Sequence, residues 1–169
     1  MSLLRICLLL PLAFFCQLPF AQEINWMTWE EAVIANEAEP KKMFVDVYTE
    51  WCGWCKKMDK TTFKDSAVVA RLNSDFYAIK LNAEQKESIF WKDKEYKWVE
   101  HKRDGINQLA YEILEGRLSY PTYILLDSTF SRILISPGYM VSEDLIRELR
   151  FASENHYKTM SWQTYKSKS

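Results

Sequence analysis

The sequence predicts an α/β domain, a central mixed β-sheet with helices on both faces, and three observations carry that expectation. Met43–Thr49 and Phe76–Leu81 are nearly continuous apolar runs, the make-up of strands buried on both faces. Apolar residues at helical spacing precede, separate and follow them. The resulting order α, β, α, β, α, β, β, α is that of a layered sheet with crossover helices. A length of 169 residues suits one domain, and no internal repeat or linker divides it.

The elements follow in chain order. Ile6–Phe20 is almost wholly apolar after a lone charge at Arg5, and Ala21 is small enough to precede cleavage at Gln22. That is the architecture of a secretory signal, residues 1–21. It places the mature chain, residues 22–169, in a periplasm or outside the cell. A retained anchor and a lipidated Cys16 are the competing readings. The run is shorter than the roughly 20 residues of a spanning helix, and Phe15 is bulky where a lipoprotein signal has a small residue.

Thr28-Trp-Glu-Glu31 is a capping box that starts a helix over Trp29–Glu37, ended by Pro40. The strand Met43–Thr49 comes next. Cys55–Lys60 and Ser66–Leu72 read as one interrupted helix or as two short ones, ahead of the strand Phe76–Leu81. Residues 83–105 form an insertion, in which Ile89-Phe-Trp91 and Glu95-Tyr-Lys-Trp-Val99 flank Lys92-Asp-Lys94 as a β-hairpin. Ile106, Leu109, Ala110, Ile113 and Leu114 recur at helical spacing up to Gly116. Thr122–Leu126 and Arg132–Ser136 are two strands joined by the turn Asp127-Ser-Thr129. Ser142 is expected to cap a last helix carrying Leu145, Ile146, Leu149 and Phe151. Residues 154–169 form a polar tail with Tyr157, Trp162 and Tyr165 as anchors.

A net charge of −1 gives no basis for nucleic-acid binding or electrostatic recruitment to a membrane. Cysteine usage is more informative. Cys7 and Cys16 fall in the signal, so the mature chain keeps Cys52 and Cys55, three positions apart at the end of a buried strand. Exported proteins use cysteines mostly as staples, but this pair closes too small a loop to staple a domain. Chemistry explains it better. At a strand–helix junction the first sulfur lies beside unpaired N–H groups and the positive end of the helix dipole, which stabilise a thiolate. The second lies about one turn further on. Cys52 is therefore the expected nucleophile and the more accessible sulfur, and Cys55 the buried resolving thiol. Lys56 either adds positive charge there or is a solvated helix residue. A zinc site needs four ligands. Beyond the pair only His101 and His156 are on offer, so no metal is expected.

The residues around the pair carry a resemblance. Phe44-Val-Asp-Val-Tyr-Thr-Glu-Trp-Cys-Gly-Trp-Cys-Lys56 resembles the active-site segment of thioredoxin-like proteins, matching at Asp46, Trp51 and Gly53. Ser119-Tyr-Pro-Thr-Tyr-Ile-Leu-Leu-Asp127 resembles that family's cis-proline strand, and Gly138 falls where it carries a glycine after its last strand. The similarity spans about Trp29–Phe151 and is most like exported bacterial members with Trp-Cys-Gly-x-Cys-Lys.

This resemblance implies a thioredoxin-like fold with Cys52 attacking and Cys55 resolving. Asp46 would be the buried acid beneath the disulfide that accepts the Cys55 proton. Pro121, in a cis bond after Tyr120, would lie against the disulfide and leave the preceding backbone free to pair with an extended client. Trp51, Gly53, Trp54, Tyr120, Pro121 and Gly138 are the expected client-binding positions. The resemblance further implies no cofactor beyond the Cys52–Cys55 disulfide, protein disulfides or dithiols as substrates, a membrane or periplasmic redox partner, and a monomer. Trp54 departs from the pattern, since thioredoxin has proline there and strong oxidants have histidine. With Asp46 present and no histidine between the cysteines, the reducing direction is favoured. Strands Met43–Thr49 and Phe76–Leu81 would be parallel neighbours, so the insertion emerges beside Cys52. Phe90, Trp91, Tyr96 and Trp98 then either line a client surface or pack onto their own domain. The rival to a catalyst is a non-catalytic module using the same scaffold to hold a client protein or a copper ion, with His101 as a candidate ligand.

Overall fold

The computed structural model describes residues 23–101 and 104–168. The expected leader, its Cys7 and Cys16, and the cleavage point at Ala21/Gln22 lie outside the described residues.

The apolar run at Lys42–Tyr48 forms strand β2, buried through its middle and central in a five-stranded sheet. It pairs in parallel with Phe76–Asn82 (β3) along its whole length and antiparallel with Thr122–Leu126 (β8). Arg132–Pro137 (β9) lies antiparallel on the far side of β8. A two-residue strand, Trp26–Met27 (β1), adds in parallel to the other edge of β3. The spatial order is β1-β3-β2-β8-β9. Nothing in the sequence marks β1, because two residues show no periodicity.

Alternation along each strand divides the core into two layers. Val45, Val47, Ile79 and Ile124 point to the face covered by helix Trp29–Ala38 (α1) and helix Gln108–Ile113 (α4). Phe44, Ala78, Tyr123 and Leu125 point to the other face. That face is covered by helix Gly53–Lys60 (α2), helix Ser66–Asp75 (α3) and helix Ser142–Ser153 (α5). Each fully buried Leu or Val on these faces contributes roughly 1.5–3 kcal/mol. The capping box at Thr28 forms as expected, with Glu31 N donating to Thr28 Oγ1 and Thr28 N to the Glu31 carboxylate. Between α2 and α3 the chain makes one 3-10 turn at Thr62–Lys64, so the segment is two short helices. The Asp65 side chain then starts α3 by accepting from Ala67 N and Val68 N.

The structure corrects three expectations. The insertion holds two hairpins instead of one. Ile89–Trp91 (β4) and Lys94–Tyr96 (β5) join through a two-residue turn, with Lys92 and Asp93 both at positive φ, as a tight hairpin turn requires. Trp98–His101 (β6) pairs with Asp104–Asn107 (β7) as a second. The pairing breaks after Tyr96 because that ring is drawn into the core. Ile106 consequently belongs to β7 and not to a helix. Asn107 then starts α4, its Oδ1 accepting from Leu109 N, and Gly116 ends that turn at φ 70° with its N–H on Tyr111 O. Finally, Val141 and not Ser142 occupies the N-cap of α5, with no side-chain cap bond. Glu143 and Asp144 in the first turn supply the charge that favours a helix start instead. In the tail, Tyr157, Trp162 and Tyr165 pack around Phe151.

Candidate active site

The end of β2 delivers the cysteine pair. After Tyr48 the chain turns through Thr49–Trp51, with Cys52 N donating to Thr49 O at 3.1 Å. Cys52 is the N-cap of α2 in extended conformation, and its Sγ accepts from Cys55 N at 3.0 Å. The sulfur of Cys52 thus takes the place a Ser or Asp oxygen takes in an ordinary cap, at the positive end of the helix. Cys52 and Cys55 are joined as a disulfide. The sulfur expected to be accessible is only slightly so: Cys52 is 4% exposed and Cys55 2%. The flanking indoles, not the sulfurs, form the surface, with Trp51 64% and Trp54 56% exposed.

Each indole is held by a different part of the fold. Trp51 Nε1 donates to the Glu84 carboxylate at 2.8 Å, and its ring meets Tyr120 edge-on at 5.8 Å. Trp54 leans on Tyr139 at 5.3 Å, and the Lys57 ammonium stands over both rings at 5.0 and 5.1 Å. The Tyr120–Pro121 bond is cis, and Pro121 O accepts from Gly138 N at 2.8 Å. Gly138 has φ 98°, a conformation that glycine adopts at no steric cost. Gly53 has no positive φ, and a Cβ there would meet nothing within 4 Å. Its lack of a side chain leaves open space beside Cys52. Met58, fully buried one turn after Cys55, anchors α2 to the sheet and to the loop after β9. Its Sδ accepts from Met140 N at 3.2 Å and from the Tyr123 hydroxyl.

Asp46 lies on the sheet face that α2 covers, opposite Lys80 on β3 and Tyr123 on β8. It is 1% exposed. One carboxylate oxygen, Oδ2, accepts from Lys80 Nζ at 2.6 Å, and the other, Oδ1, is buried with no hydrogen-bond partner among the described residues. Burial pushes the Asp46 carboxyl up to about 6, against the pull of Lys80. Lys80 also donates to Asp59, on the outward side of α2. Burial alone would lower the Lys80 ammonium, but Asp46 and Asp59 hold it above the ordinary lysine range.

The sequence did not single out Lys80, Asp59, Glu84, Lys57 or Tyr139. Lys80 had a signal: it is the one charge within a buried strand, where an unpaired ammonium would be costly. The aromatics of the insertion divide. Tyr96 is buried and Trp91 packs edge-on against Trp29 at 5.1 Å. Phe90 is exposed, and Trp98 walls a cleft with Trp51, Glu84 and Gly105. His101, the candidate copper ligand, leans on Tyr111 and shares a cleft of about 370 Å³ with Trp51 and Tyr120. Among the described residues no three His, Cys, Asp or Glu side chains converge as a metal site would need.

Residues 13–151 match the family model Thioredox_DsbH, described as a protein of unknown function, DUF255. The chain is 39% identical over 50 residues to the thiol:disulfide interchange protein DsbD of Pseudoalteromonas atlantica, covering 30% of this chain and 8% of that protein. It spans less than a tenth of the length of the curated relatives it matches. Among solved structures it superposes on a candidate disulphide-isomerase from Bacteroides thetaiotaomicron with TM-score 0.57 and 26% identity, over 80% of this chain and 97% of that one. A thioredoxin-fold protein from Helicobacter pylori gives TM-score 0.57 at 20% identity, over 76% and 79% of the two chains, a likeness of fold alone.

Proposed function

This chain belongs to the Thioredox_DsbH family of thioredoxin-like proteins, and from that premise we propose that it is an exported protein-disulfide reductase working through Cys52 and Cys55. The observation that carries the reading is the capping geometry. Cys52 Sγ receives the Cys55 N–H at the start of α2, so a thiolate left there on reduction is stabilised before any client arrives.

In the reduced protein the Cys52 thiolate attacks a client disulfide. A Cys52–client S–S bond forms, and the first client sulfur leaves with its electron pair. Cys55 then gives its proton to Asp46, whose unpartnered Oδ1 is free to take it. The Cys55 thiolate attacks Cys52 Sγ, the client's second sulfur leaves as a thiolate, and the Cys52–Cys55 disulfide of the structure is formed. A membrane or periplasmic dithiol partner, like the interchange protein named above, would return the two electrons. Trp51, Tyr120, Pro121 and Trp54 supply the client platform around sulfurs that are themselves nearly covered.

What supports the reducing direction is the make-up of the segment between the cysteines. Gly53 and Trp54 between them bear no charge, and the nearby Lys57 ammonium is engaged by two rings. The segment between the cysteines therefore lacks the histidine that strong oxidants carry there. Equilibration of the mature chain with glutathione tests this. The expected potential is nearer about −270 mV than about −120 mV, and a value near the upper figure overturns the reducing direction. Export is tested by sequencing the purified protein from its N-terminus, expected at Gln22.

A further inference from the structure

Lys80 is the centre of a cluster that disulfide exchange at the surface does not explain. Its Nζ donates at once to buried Asp46 and to Asp59, while the rings of Trp26, Phe63 and Tyr48 stand 4.8, 5.0 and 5.1 Å from the same ammonium. The two acids differ in access: the Asp46 side chain is 1% exposed and that of Asp59 42%. Lys80 and Asp59 also line a cleft of about 270 Å³ whose walls include Trp26 and Phe63, with Glu23 and Lys64 beside them. That cleft lies toward the β1 edge of the sheet. Pro121 and Tyr120 adjoin β8, on the opposite side of β2.

During resolution a client lies over Trp51 and Pro121, where it covers the disulfide surface. A proton that Asp46 has taken from Cys55 needs another way out. We propose that Lys80 and Asp59 form the outward limb of the Asp46 proton path, opening to water through the Trp26–Phe63 cleft and not across the client surface. This rests on the reading of Asp46 as the acceptor for Cys55. In the step, protonated Asp46 gives its proton to Lys80 while Lys80 gives one of its own to the Asp59 carboxylate. Asp59 then releases that proton to water, Lys80 remains an ammonium, and no electrons change owner. Because Lys80 already donates to both carboxylates, the relay needs no movement of its side chain. Asp59 is in this sense a positioning residue for Asp46.

The other ionisable groups facing the cluster do not offer the same path. Tyr48 from β2 and Tyr123 from β8 are both driven upward, chiefly by burial, and keep their protons. Glu23 and Lys64 pair with each other at the outer rim at 2.6 Å.

The test uses the full mature chain with Asp59→Asn, and Asp59→Glu as the conservative variant. Carboxyl carbon NMR of the oxidised protein follows Asp46 directly. Without Asp59 the Lys80 charge belongs to Asp46 alone, so its midpoint moves down by roughly one pH unit. Asp59→Glu leaves it near the parent. In single turnover with a protein client, Asp59→Asn slows resolution of the mixed disulfide several-fold and more than it slows the first attack, and Asp59→Glu restores the rate. An unmoved midpoint overturns the proposal. So does a moved midpoint with an unchanged resolution rate, since the proton would then be leaving by the client surface. A parent chain that forms no mixed disulfide at all removes the functional reading, and the proposal with it. Normal exchange in every variant removes the proposal alone.

Discussion

The two hairpins of the insertion are neighbours in sequence and similar in size, yet one is core and the other is wall. The first, Ile89–Tyr96, turns Ile89 and Tyr96 inward and lays Trp91 against Trp29 and Phe130, extending the layer beneath α1. The second, Trp98–Asn107, sends Ile106 into the core and presents Trp98, His101, Asp104 and Gly105 to the clefts beside Trp51 and Tyr120. Both are rooted at Asn107. Its N–H donates to Ala83 O, its Nδ2 to Glu87 O and Tyr96 O, and its Oδ1 accepts from Leu109 N. What separates the buried aromatics from those that line the clefts is which edge of the fold the strand ends face.

That contrast can be broken at its root. Asn107→Ala deletes a helix cap and strands two carbonyls in a fully buried position, for a loss of about 4 kcal/mol. Denaturant unfolding should show it, and proteolysis should open both hairpins together. Protection of one hairpin alone would mean that they are not jointly anchored.

Next in size is Trp91→Ala, expected to cost about 3 kcal/mol through lost packing on Trp29 and Phe130. Its rate with a small disulfide should match the parent, because Trp91 faces away from the cysteines' cleft. A stability within about 0.5 kcal/mol of the parent would show that the first hairpin is not core.

The second hairpin should respond in the opposite sense. Trp98→Ala should change stability by no more than about 0.5 kcal/mol while altering competition between protein clients. Gly105→Ala sharpens the point. A Cβ on Gly105 would run into the Trp98 indole, so the ring must swing off the hairpin, at roughly 1 kcal/mol. Client competition in the two variants should therefore shift in the same direction.

The smallest expected difference between the hairpin variants is in pH dependence. Asp46 titrates at about 6 in the folded chain, above its ordinary 3.8. The folded state thus binds more protons between those values, and the Asp46 contribution to the stability of the oxidised protein should fall as pH rises from about 4 to about 6, by roughly 2–3 kcal/mol. Neither hairpin touches Asp46, so thermal unfolding across that range should give parallel curves for the parent, Trp91→Ala and Trp98→Ala.

How much of this could be read beforehand depended on whether the cause was local. The strands at Met43 and Phe76, the capping box at Thr28 and the cysteine pair at a strand–helix junction are written in adjacent residues, and the structure has them where the sequence places them. The break after Tyr96 is not local, since it follows from burial against α1 and α4. Three-residue strands alternate too briefly to fix a register on their own. The Asp46–Lys80–Asp59 cluster was invisible for a similar reason. It joins residues from two strands and a helix, and becomes legible only once the parallel register places Asp46 opposite Lys80.

The pair of exposed indoles that brackets the disulfide has an optical consequence. An excited indole beside a disulfide loses its emission to the sulfur–sulfur bond, and recovers it when that bond is cut. Trp51 and Trp54 flank Cys52 and Cys55 directly in the chain, whereas Trp29 is sealed in the opposite layer of the core. The protein therefore carries its own light-emitting gauge of redox state. Its baseline is set by the other five indoles of the chain, Trp29 the most deeply buried among them.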